Sequence, residues 1–361
     1  MGLSKKILNF ALWIVDILTF YIHPKKGRIL FNSLTQKELS SDFKLIYDAL
    51  QKEGIYDLRT NLIVFEKNIK GDFLYFLNCL KQLVLMKGSE LVVLNDNNYI
   101  ISTRKPKGIK VLQTWHACGA VKKFGNQIKR QYPIKNYDAL LCNAQYWKHC
   151  FSEAFGMEKD QIYITGLPRV DILLNEDKKE LFYEKYPYCR DKKLVLYAPT
   201  FRGNIIDGLK VNSFDMNYVS DKLGDEYIIL YKFHPLLKNV EVRGDNLINV
   251  NNEDLYMLMQ VSDCMISDYS SVFFDYSLLD KKMIGYIPDY EEYKTTIGYN
   301  VDYYADFSGP ICKDENDLVL AILKQDEDQE LRRIFQKKFM EYKDGRNTER
   351  VVKLIHQIMK A

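Results

Sequence analysis

The chain has 361 residues, of which 47% are hydrophobic and 27% are charged. This length exceeds one typical core and suits two α/β domains of about 150 residues each, and the composition excludes an intrinsically disordered chain. The seven cysteines are odd in number and contain no Cys-x-x-Cys pair. They argue against a disulfide-stapled secreted scaffold and indicate free thiols in a reducing, cytoplasmic compartment.

The formal net charge of +3 conceals an uneven distribution of charge along the chain. Residues 1–140 carry about +11, and residues 141–361 carry about −8. The segment 101–135 has no acidic residue and nine basic ones: Arg104, Lys105, Lys107, Lys110, Lys122, Lys123, Lys129, Arg130 and Lys135. A solvated face normally mixes both signs, so this pattern favours an anionic partner: a membrane surface, a phosphorylated substrate or nucleic acid.

The first apolar segment, Ile7–Ile22, is flanked by basic residues and is shorter than the ~20 apolar residues that a membrane-spanning helix needs. At helical spacing its polar side chains fall on one narrow stripe, which consists of Lys5, Asn9, Asp16, Thr19 and His23. The rest of the surface is apolar. We therefore predict an amphipathic helix over 1–24 that lies in an anionic membrane interface, peripherally on the cytoplasmic face of the cell membrane. A buried first helix of the domain is the alternative.

Short apolar runs alternate with helical periods along the rest of the chain. The predicted strands are Arg28–Phe31, Thr60–Phe65, Glu90–Leu94, Lys110–Thr114, Asp138–Cys142, Gln161–Thr165, Leu194–Ala198, Tyr227–Lys232, Leu247–Val250, Cys264–Ser267 and Met283–Ile287. The predicted helices are Ser41–Lys52, Asp72–Lys87, Ala144–Phe155, Val211–Leu223, Asp254–Gln260, Ser270–Leu279, Asp314–Leu323 and Arg346–Met359. This alternation predicts parallel sheets with helices on both faces. We expect two doubly wound, Rossmann-like α/β domains facing a cleft, over 25–175 and 190–345, with a polar linker between them and a docked C-terminal helix over 346–361.

The first motif that carries chemistry runs from Gln113 to Gly125 and contains His116. His116 follows a predicted strand, so it lies at the carboxyl edge of the sheet. A histidine there can remove a proton from a substrate hydroxyl, because its pKa lies near working pH. Lys122 and Lys123 follow in the same loop and would neutralise a nearby phosphate. A purely structural histidine is the alternative at this point.

Three further motifs place polar side chains at predicted strand ends. They are Tyr197–Gly203 with Arg202, Tyr231–Pro235 with Lys232 and His234, and Ile266–Asp275 with Asp268, Ser270 and Ser271. The planar guanidinium of Arg202 matches phosphate oxygens. Lys232 and His234 point to opposite faces of a continued strand, and His234 is favoured for the cleft. The two serines lie at a helix N-terminus, which favours a diphosphate, although an ordinary helix cap is the alternative.

Together these four motifs resemble those of the CDP-glycerol glycerophosphotransferase family, the teichoic acid primases and polymerases. The family shows a Trp-His-Gly/Ala motif followed by lysines, then Ala-Pro-Thr-x-Arg, Lys/Arg-x-His-Pro and Ser-Asp-Tyr-Ser-Ser-x-x-Phe-Asp. All four occur in this order over residues 113–275, and the segments Gly166–Asp171 and Asp344-Gly345 also agree. The resemblance implies the GT-B fold, with the donor nucleotide held mainly by the C-terminal domain.

The chain departs from the polymerases of this family in two respects. Their late donor loop has an Arg-Gly pair before an aromatic residue, whereas Thr296–Tyr299 lacks the arginine, so no donor contact of that kind is expected here. We also expect neither the long N-terminal extension nor the C-terminal repeat region that is common in polymerases of this family. Its Ala117–Gly119 version of the histidine loop is more similar to that of the primases.

The resemblance implies transfer of glycerol phosphate from CDP-glycerol to a hydroxyl of a polyprenyl-diphosphate-linked disaccharide, with release of CMP. In that reaction His116 would be the general base. His234 and Arg202 would stabilise charge on the transferring phosphate, while Ser270 and Ser271 would hold the diphosphate.

Lys232 and Asp268 would complete the donor site, with Asp268 orienting its loop. No Asp-x-Asp pair ends a predicted strand, so we expect neither a metal nor another cofactor, and no nucleic acid partner. Three alternatives remain: a polymerase or a ribitol-phosphate or capsular enzyme, a GT-B sugar transferase or sugar-nucleotide epimerase, and a catalytically inactive nucleotide binder. Retention of both motif histidines argues against the last, because binding alone needs neither.

Overall fold

The computed structural model describes residues 3–65, 68–204, 208–211, 213–233 and 242–360. The strands are β1 (Lys25–Ser33), β2 (Asp57–Leu62), β3 (Ser89–Leu94), β4 (Lys110–Gln113), β5 (Ala139–Cys142), β6 (Ile162–Ile164), β7 (Lys193–Tyr197), β8 (Phe201–Asn204), β9 (Gly208–Val211), β10 (Tyr227–Tyr231), β11 (Leu247–Asn249), β12 (Cys264–Ser267), β13 (Lys282–Tyr286) and β14 (Ile311–Cys312). The helices are α1 (Leu3–Leu18), α2 (Ser41–Glu53), α3 (Ile69–Lys87), α4 (Tyr99–Arg104), α5 (Trp147–Phe155), α6 (Arg169–Asn175), α7 (Lys179–Lys185), α8 (Met216–Leu223), α9 (Leu255–Val261), α10 (Val272–Ser277), α11 (Tyr290–Thr296), α12 (Tyr303–Asp306), α13 (Glu315–Leu323), α14 (Gln329–Phe339) and α15 (Asn347–Lys360).

The first compact unit consists of Met1–His116, Phe124–Arg169 and Arg346–Ala361. Its six strands form one parallel sheet in the order β2-β1-β3-β4-β5-β6. The central strands are continuous apolar runs such as Ile29–Phe31 and Leu91–Leu94, and these residues are at most 1% exposed. Such runs are expected where helices cover both faces of a parallel sheet.

The second unit consists of Ala117–Lys123 and Val170–Gly345. Its parallel sheet has the order β11-β10-β7-β12-β13-β14, and β8 and β9 form a separate antiparallel hairpin. Numbered within the unit, the sheet order is 3-2-1-4-5-6, the order of dinucleotide-binding Rossmann domains. Two Rossmann-like α/β units are therefore present, as the alternation of strands and helices predicts.

The predicted interdomain linker is not a linker in the structure. Residues 176–189, which belong to neither predicted domain, contain α7 and lie in the second unit. Phe182 of α7 is fully buried, and the Gln260 side chain donates to the backbone carbonyls of Leu173 and Glu176. The polar composition of this segment instead reflects a surface helix, which buries one face and solvates the other.

The helix predicted over Val211–Leu223 begins later than expected. It is α8, which starts at Met216, while Gly208–Val211 forms β9. The Asp215 carboxylate accepts hydrogen bonds from two backbone N–H groups of the first turn, both at 3.1 Å. This side-chain cap satisfies donors that have no partner within the helix and defines where α8 begins.

Polar side chains attach α1 to the first unit. The Lys87 amine on α3 donates to the carbonyl oxygens of Asp16 and Thr19 at 2.8 and 3.1 Å, and it lies 2.7 Å from the Asp16 carboxylate. The Tyr99 hydroxyl donates to Asn9 at 2.8 Å. Three residues of the predicted polar stripe therefore face the protein.

The opposite face of α1 is apolar and exposed. Leu8 and Leu12 are buried, whereas the large apolar residues exposed on α1 are Ile7, Phe10, Trp13, Ile14, Ile17 and Leu18. On α3, against which α1 packs, Ile69, Phe73, Leu74 and Leu77 are exposed as well. Within the described residues, no helix combines the length and the apolarity needed to cross a bilayer. α1 therefore buries two leucines against the protein and leaves six other large apolar side chains exposed.

The C-terminal helix α15 packs on α2 within the first unit. Val351 and Ile355 are fully or almost fully buried. The two ring nitrogens of His356 lie 2.8 Å from the Tyr56 hydroxyl and 3.1 Å from a Glu53 carboxylate oxygen. The chain therefore returns to its first unit after completing the second.

Candidate functional site

In a doubly wound sheet, ligands bind at the carboxyl edge where the strand order reverses, because the loops there diverge to opposite faces. In the first unit this switch point lies between β1 and β3. The backbone N–H of Leu34, just after β1, donates to Asp96 Oδ2, just after β3, at 2.7 Å. One carboxylate therefore joins the two diverging loops.

His116 follows β4, the next strand of the same sheet, and an unusual backbone conformation orients it. Trp115 has a positive φ of 59°, which is rare for a bulky residue and costs on the order of 1–3 kcal/mol. The Gln113 side chain stabilises this turn, since its oxygen accepts from Trp115 N at 2.9 Å and its amide donates to the carbonyl of Asp96 at 2.8 Å. The Trp115 ring stacks on Phe124 with ring centroids 5.0 Å apart.

The hydrogen bond of the His116 ring determines which nitrogen can act as a base. Nδ1 lies 3.2 Å from the backbone carbonyl of Asn95, and a carbonyl can only accept, so Nδ1 carries the proton. Nε2 then has the lone pair in the neutral ring. His116 reaches solvent, yet protein packed around the ring desolvates it and lowers its pKa below the ordinary value of 6.5. The neutral, basic form is therefore favoured over a wider pH range.

An ion pair near His116 adds opposing electrostatic contributions. Arg169 Nε lies 3.1 Å from Asp42 Oδ2, and Arg169 N donates to the other carboxylate oxygen at 2.8 Å. The positive charge of Arg169 lowers the pKa of His116, and the negative charge of Asp42 raises it. Both effects are smaller than that of desolvation. Arg169 belongs to the Gly166–Asp171 segment identified in the sequence.

The second unit has its switch point between β7 and β12, and a carboxylate joins the loops there too. Asp268 accepts from Thr200 N and from the Thr200 hydroxyl, both at 2.9 Å. Asp268 is 3% exposed, and its backbone carbonyl accepts from the Tyr303 hydroxyl at 3.1 Å. These bonds join the turn after β12 to the loop after β7.

Ser270 and Ser271 lie in the turn between β12 and α10 and are half-buried. Ser271 is the cap residue of α10, without a side-chain capping bond, and Ser270 Oγ accepts weakly from Val272 N at 3.4 Å. Within α10, Asp275 accepts from the Tyr256 hydroxyl at 2.7 Å and from Cys118 Sγ at 3.2 Å. The structure thus brings Asp268 and both serines into one turn at the switch point.

The segment with Lys122 and Lys123 pairs with the late loop of the second unit. Lys123 N donates to the Gly298 carbonyl at 3.1 Å, and Asn300 N donates to Val121 O at 2.8 Å. The Lys122 amine lies 5.1 Å from the centroid of the Tyr293 ring, within cation–π range. Both lysines therefore belong to the second unit rather than to that of His116.

The remaining predicted residues follow β7 and β10. The Lys232 amine donates to the carbonyls of Asn251 and Glu253, both at 2.8 Å, so its observed partners are backbone oxygens. Burial lowers its pKa. Arg202 lies in β8, opposite Lys210 in the hairpin. His234 lies outside the described residues.

Comparison with known proteins identifies the family. Residues 17–357 match the family described as CDP-Glycerol:Poly(glycerophosphate) glycerophosphotransferase. The chain belongs to this family. The teichoic acid ribitol-phosphate primase of Bacillus spizizenii is 30% identical, over 95% of this chain and 94% of that protein. The teichoic acid glycerol-phosphate primase of Bacillus subtilis is 28% identical, over 99% and 100% of the two chains.

Among solved structures, that of the wall teichoic acid polymerase TagF is similar to this glycerophosphotransferase-family chain with a TM-score of 0.74 and 25% identity. It covers 99% of this chain and 94% of the other. The family resemblance carried by the four motifs is confirmed, and so is the GT-B-like fold class. The chain is an enzyme of the polyol-phosphate transferase kind.

Two features of the site were not predicted from the four sequence motifs. The positive φ of Trp115 has no signal in the sequence, because tryptophan rarely adopts it. The run Asn95-Asp96-Asn97-Asn98 does have one: four polar residues directly after an apolar strand indicate a strand end that carries function.

The burial of Asp96 predicts how the free energy of unfolding depends on pH. Burial raises the pKa of its carboxyl from the ordinary 3.8 to about 6. An acid with a raised folded-state pKa costs stability once it ionises, so wild-type protein should lose free energy of unfolding relative to Asp96→Asn as pH rises from about 4 to 6. We expect the difference to change by on the order of 2–3 kcal/mol over this range. Urea unfolding at several pH values measures it, and a difference independent of pH would contradict the assignment.

Proposed function

We propose that this enzyme transfers glycerol phosphate from CDP-glycerol to a hydroxyl of a polyprenyl-diphosphate-linked disaccharide and releases CMP, as a teichoic acid primase. Membership of the family supports the donor. The match to a glycerol-phosphate primase over the length of both chains supports the product. The observation that carries the chemistry is His116, whose Nδ1 binds a carbonyl and whose Nε2 is thereby left as a base at the carboxyl edge of the sheet.

In the proposed step, the acceptor oxygen attacks the β-phosphorus of CDP-glycerol. A new P–O bond forms to the acceptor, the bond to the bridging oxygen breaks, and CMP leaves with that electron pair. His116 Nε2 takes the proton of the acceptor hydroxyl. Such a transfer depends on position and charge stabilisation rather than on covalent catalysis.

The other proposed roles concern the binding of the donor and the stabilisation of its phosphate charge. His234 and Arg202 stabilise charge on the transferring phosphate and the leaving group, while Ser270 and Ser271 hold the diphosphate. Asp268 keeps their turn in place through its bonds to Thr200. Lys232 adds positive charge to the donor site, and Lys122 and Lys123 are proposed contacts of a phosphate or of the acceptor. The proposal includes no metal, and unchanged turnover in excess EDTA would agree with it.

A second candidate has a specific observation in its favour. The ribitol-phosphate primase is 30% identical to this chain, slightly more than the glycerol-phosphate primase at 28%. Ribitol phosphate is therefore the main alternative for the transferred group. A polymerase would use the same chemistry and add many units, which the length of the product distinguishes.

CMP release tests the proposal directly. The enzyme is incubated with CDP-glycerol or CDP-ribitol, each with and without a lipid-linked disaccharide, and the product is sized by mass spectrometry. We expect acceptor-dependent CMP release with CDP-glycerol and one glycerol phosphate per acceptor. Faster turnover of CDP-ribitol would assign the alternative donor, and a ladder of products would assign a polymerase.

The general base has a matched control within the same unit. His116→Ala should reduce turnover by about 10²–10⁴ while CDP-glycerol affinity stays close to that of wild type. His149→Ala removes an exposed histidine whose ring pairs only with the i+4 residue Glu153 in the described ion pairs, and it should change neither quantity. Because the pKa of His116 is lowered, the acid limb of the kcat/KM profile should lie below pH 6.5. Wild-type turnover in His116→Ala would eliminate this residue as the base.

The proposal also includes peripheral attachment to an anionic membrane surface through α1. Polar contacts hold α1 to the protein while its apolar residues remain exposed, an arrangement that suits insertion into a bilayer interface. Basic residues lie beside this face: Arg104, Lys105 and Lys107 line one pocket together with Trp13 and Phe20. A lipid-carried acceptor would then reach the enzyme within the plane of the membrane.

Vesicle co-sedimentation tests this attachment. Phe10 and Trp13 are 62% and 49% exposed, so Phe10→Gln with Trp13→Gln should weaken binding to anionic vesicles without disturbing the core. The control is Leu331→Gln with Ile334→Gln on α14, which are comparably exposed in the second unit. Binding of wild type should fall only partly at high salt, because screening removes the electrostatic part and leaves apolar insertion. Wild-type protein that stays in the supernatant at low salt would contradict the attachment.

A further inference from the structure

We infer that Asp96, with the neighbouring Asn95 and Asn97, forms a subsite that binds hydroxyl groups of the acceptor and positions one of them for His116. The ligand is a saccharide or polyol recognised through its hydroxyls rather than through phosphate. This inference rests on the proposed function and deepens it, since it assigns the part of the acceptor that enters the first unit.

The side chains of these three residues contain acceptor atoms without partners. Asp96 is 8% exposed, and its Oδ2 accepts from Leu34 N. Its Oδ1 has no hydrogen-bond partner within the described part of the chain, and the same holds there for Oδ1 of Asn95 and of Asn97. The Ser33 hydroxyl lies near enough to favour the ionised carboxylate, but it does not satisfy Oδ1. Buried polar atoms are nearly always paired, so three unpaired acceptors in one turn indicate a ligand.

The equivalent position in the second unit provides a comparison. There Asp268 uses both oxygens on Thr200, one on the backbone N–H and one on the hydroxyl. In the first unit the residue bound by the carboxylate is Leu34, which has no hydroxyl. Asp96 therefore uses only one carboxylate oxygen, Oδ2, to bind the neighbouring loop. Joining the two loops therefore does not account for the second oxygen of Asp96.

The chemistry of the three atoms specifies the ligand. The carboxylate oxygen of Asp96 is an acceptor in every orientation, whereas the amides of Asn95 and Asn97 present an acceptor or a donor according to how they are turned. Sugar or polyol hydroxyls both donate and accept, and they match these side chains at the spacing of adjacent carbons. A phosphate ionised at neutral pH supplies few or no donors, and the negative charge of Asp96 repels it. Asn95 and Asn97 are half-buried, so rotation of their side chains can present these oxygens to a bound hydroxyl.

Three hydrogen bonds connect this turn to the base. The Asn95 carbonyl accepts from His116 Nδ1 at 3.2 Å, and Gln113 binds both the Asp96 carbonyl and Trp115 N. The turn that would hold the acceptor is therefore the turn that orients His116. Asp96 acts as a binding and positioning residue, while proton transfer belongs to His116.

Acceptor kinetics of Asp96→Asn test the inference. This substitution keeps an oxygen for Leu34 N and replaces the spare acceptor by a donor, so the KM for the acceptor should rise about 10- to 100-fold. kcat should change less, and the Kd of CDP-glycerol, measured by calorimetry, should not change. The control is Asp138→Asn, because Asp138 also accepts from a backbone N–H, that of Val111 at 2.7 Å, but at the amino edge of the same sheet. Equal acceptor KM values for Asp96→Asn and wild type would overturn the inference.

A binding experiment separates this inference from the proposed function. Ligand-observed NMR follows phosphate-free probes, namely glycerol, ribitol and N-acetylated disaccharides, against wild type, Asp96→Asn and Asp138→Asn. Binding of at least one probe that is lost in Asp96→Asn and kept in Asp138→Asn supports the subsite even if no CDP-polyol is turned over. Absence of binding to wild type, or equal binding to Asp96→Asn, overturns it whatever the outcome of the CMP assay.

Discussion

In each unit, a buried carboxylate accepts a hydrogen bond from the loop of the neighbouring strand at the point where the strand order reverses. Asp96 binds Leu34 N in the first unit, and Asp268 binds Thr200 in the second. At this point the two loops leave the sheet toward opposite faces, so the N–H groups of the loops have no strand to pair with, and the carboxylates supply a partner. The polar residues that follow both strands are held in place by these bonds, and the proposed chemistry depends on them.

The orientation of His116 is maintained by a strained backbone and a crowded ring. Trp115 adopts a positive φ, which costs free energy. Its ring packs against Phe124 and Phe155, and these apolar contacts offset that cost. The same crowding desolvates the imidazole and lowers its pKa. Packing thus supplies both the direction of the ring and its neutral state, two requirements of a general base.

The first helix, α1, makes polar contacts with the protein on one side and exposes apolar side chains on the other. Its polar stripe binds Lys87 and Tyr99, while most of its large apolar side chains point away from the protein. Such exposure is costly in water and favourable at a bilayer interface, and this difference is the basis of the proposed membrane attachment. A position at a bilayer interface would account for the exposed face of α1 and would give the enzyme access to the proposed lipid-linked acceptor.

Local patterns in the sequence determined eleven of the twelve strands described in the two parallel sheets, the class of both sheets and the four motifs, because burial on both faces demands continuous apolar runs and strand ends carry the polar residues. They did not indicate the short edge strand β14 or the hairpin of β8 and β9. They also predicted the amphipathic character of α1. Tertiary structure alone decided that residues 176–189 fold into the second unit, that Ala117–Lys123 pairs with the late loop there, and that α15 returns to the first unit. It also decided the φ of Trp115 and the unequal use of the two switch-point carboxylates. These features depend on contacts between residues far apart in the chain, and a local pattern carries no information about such contacts.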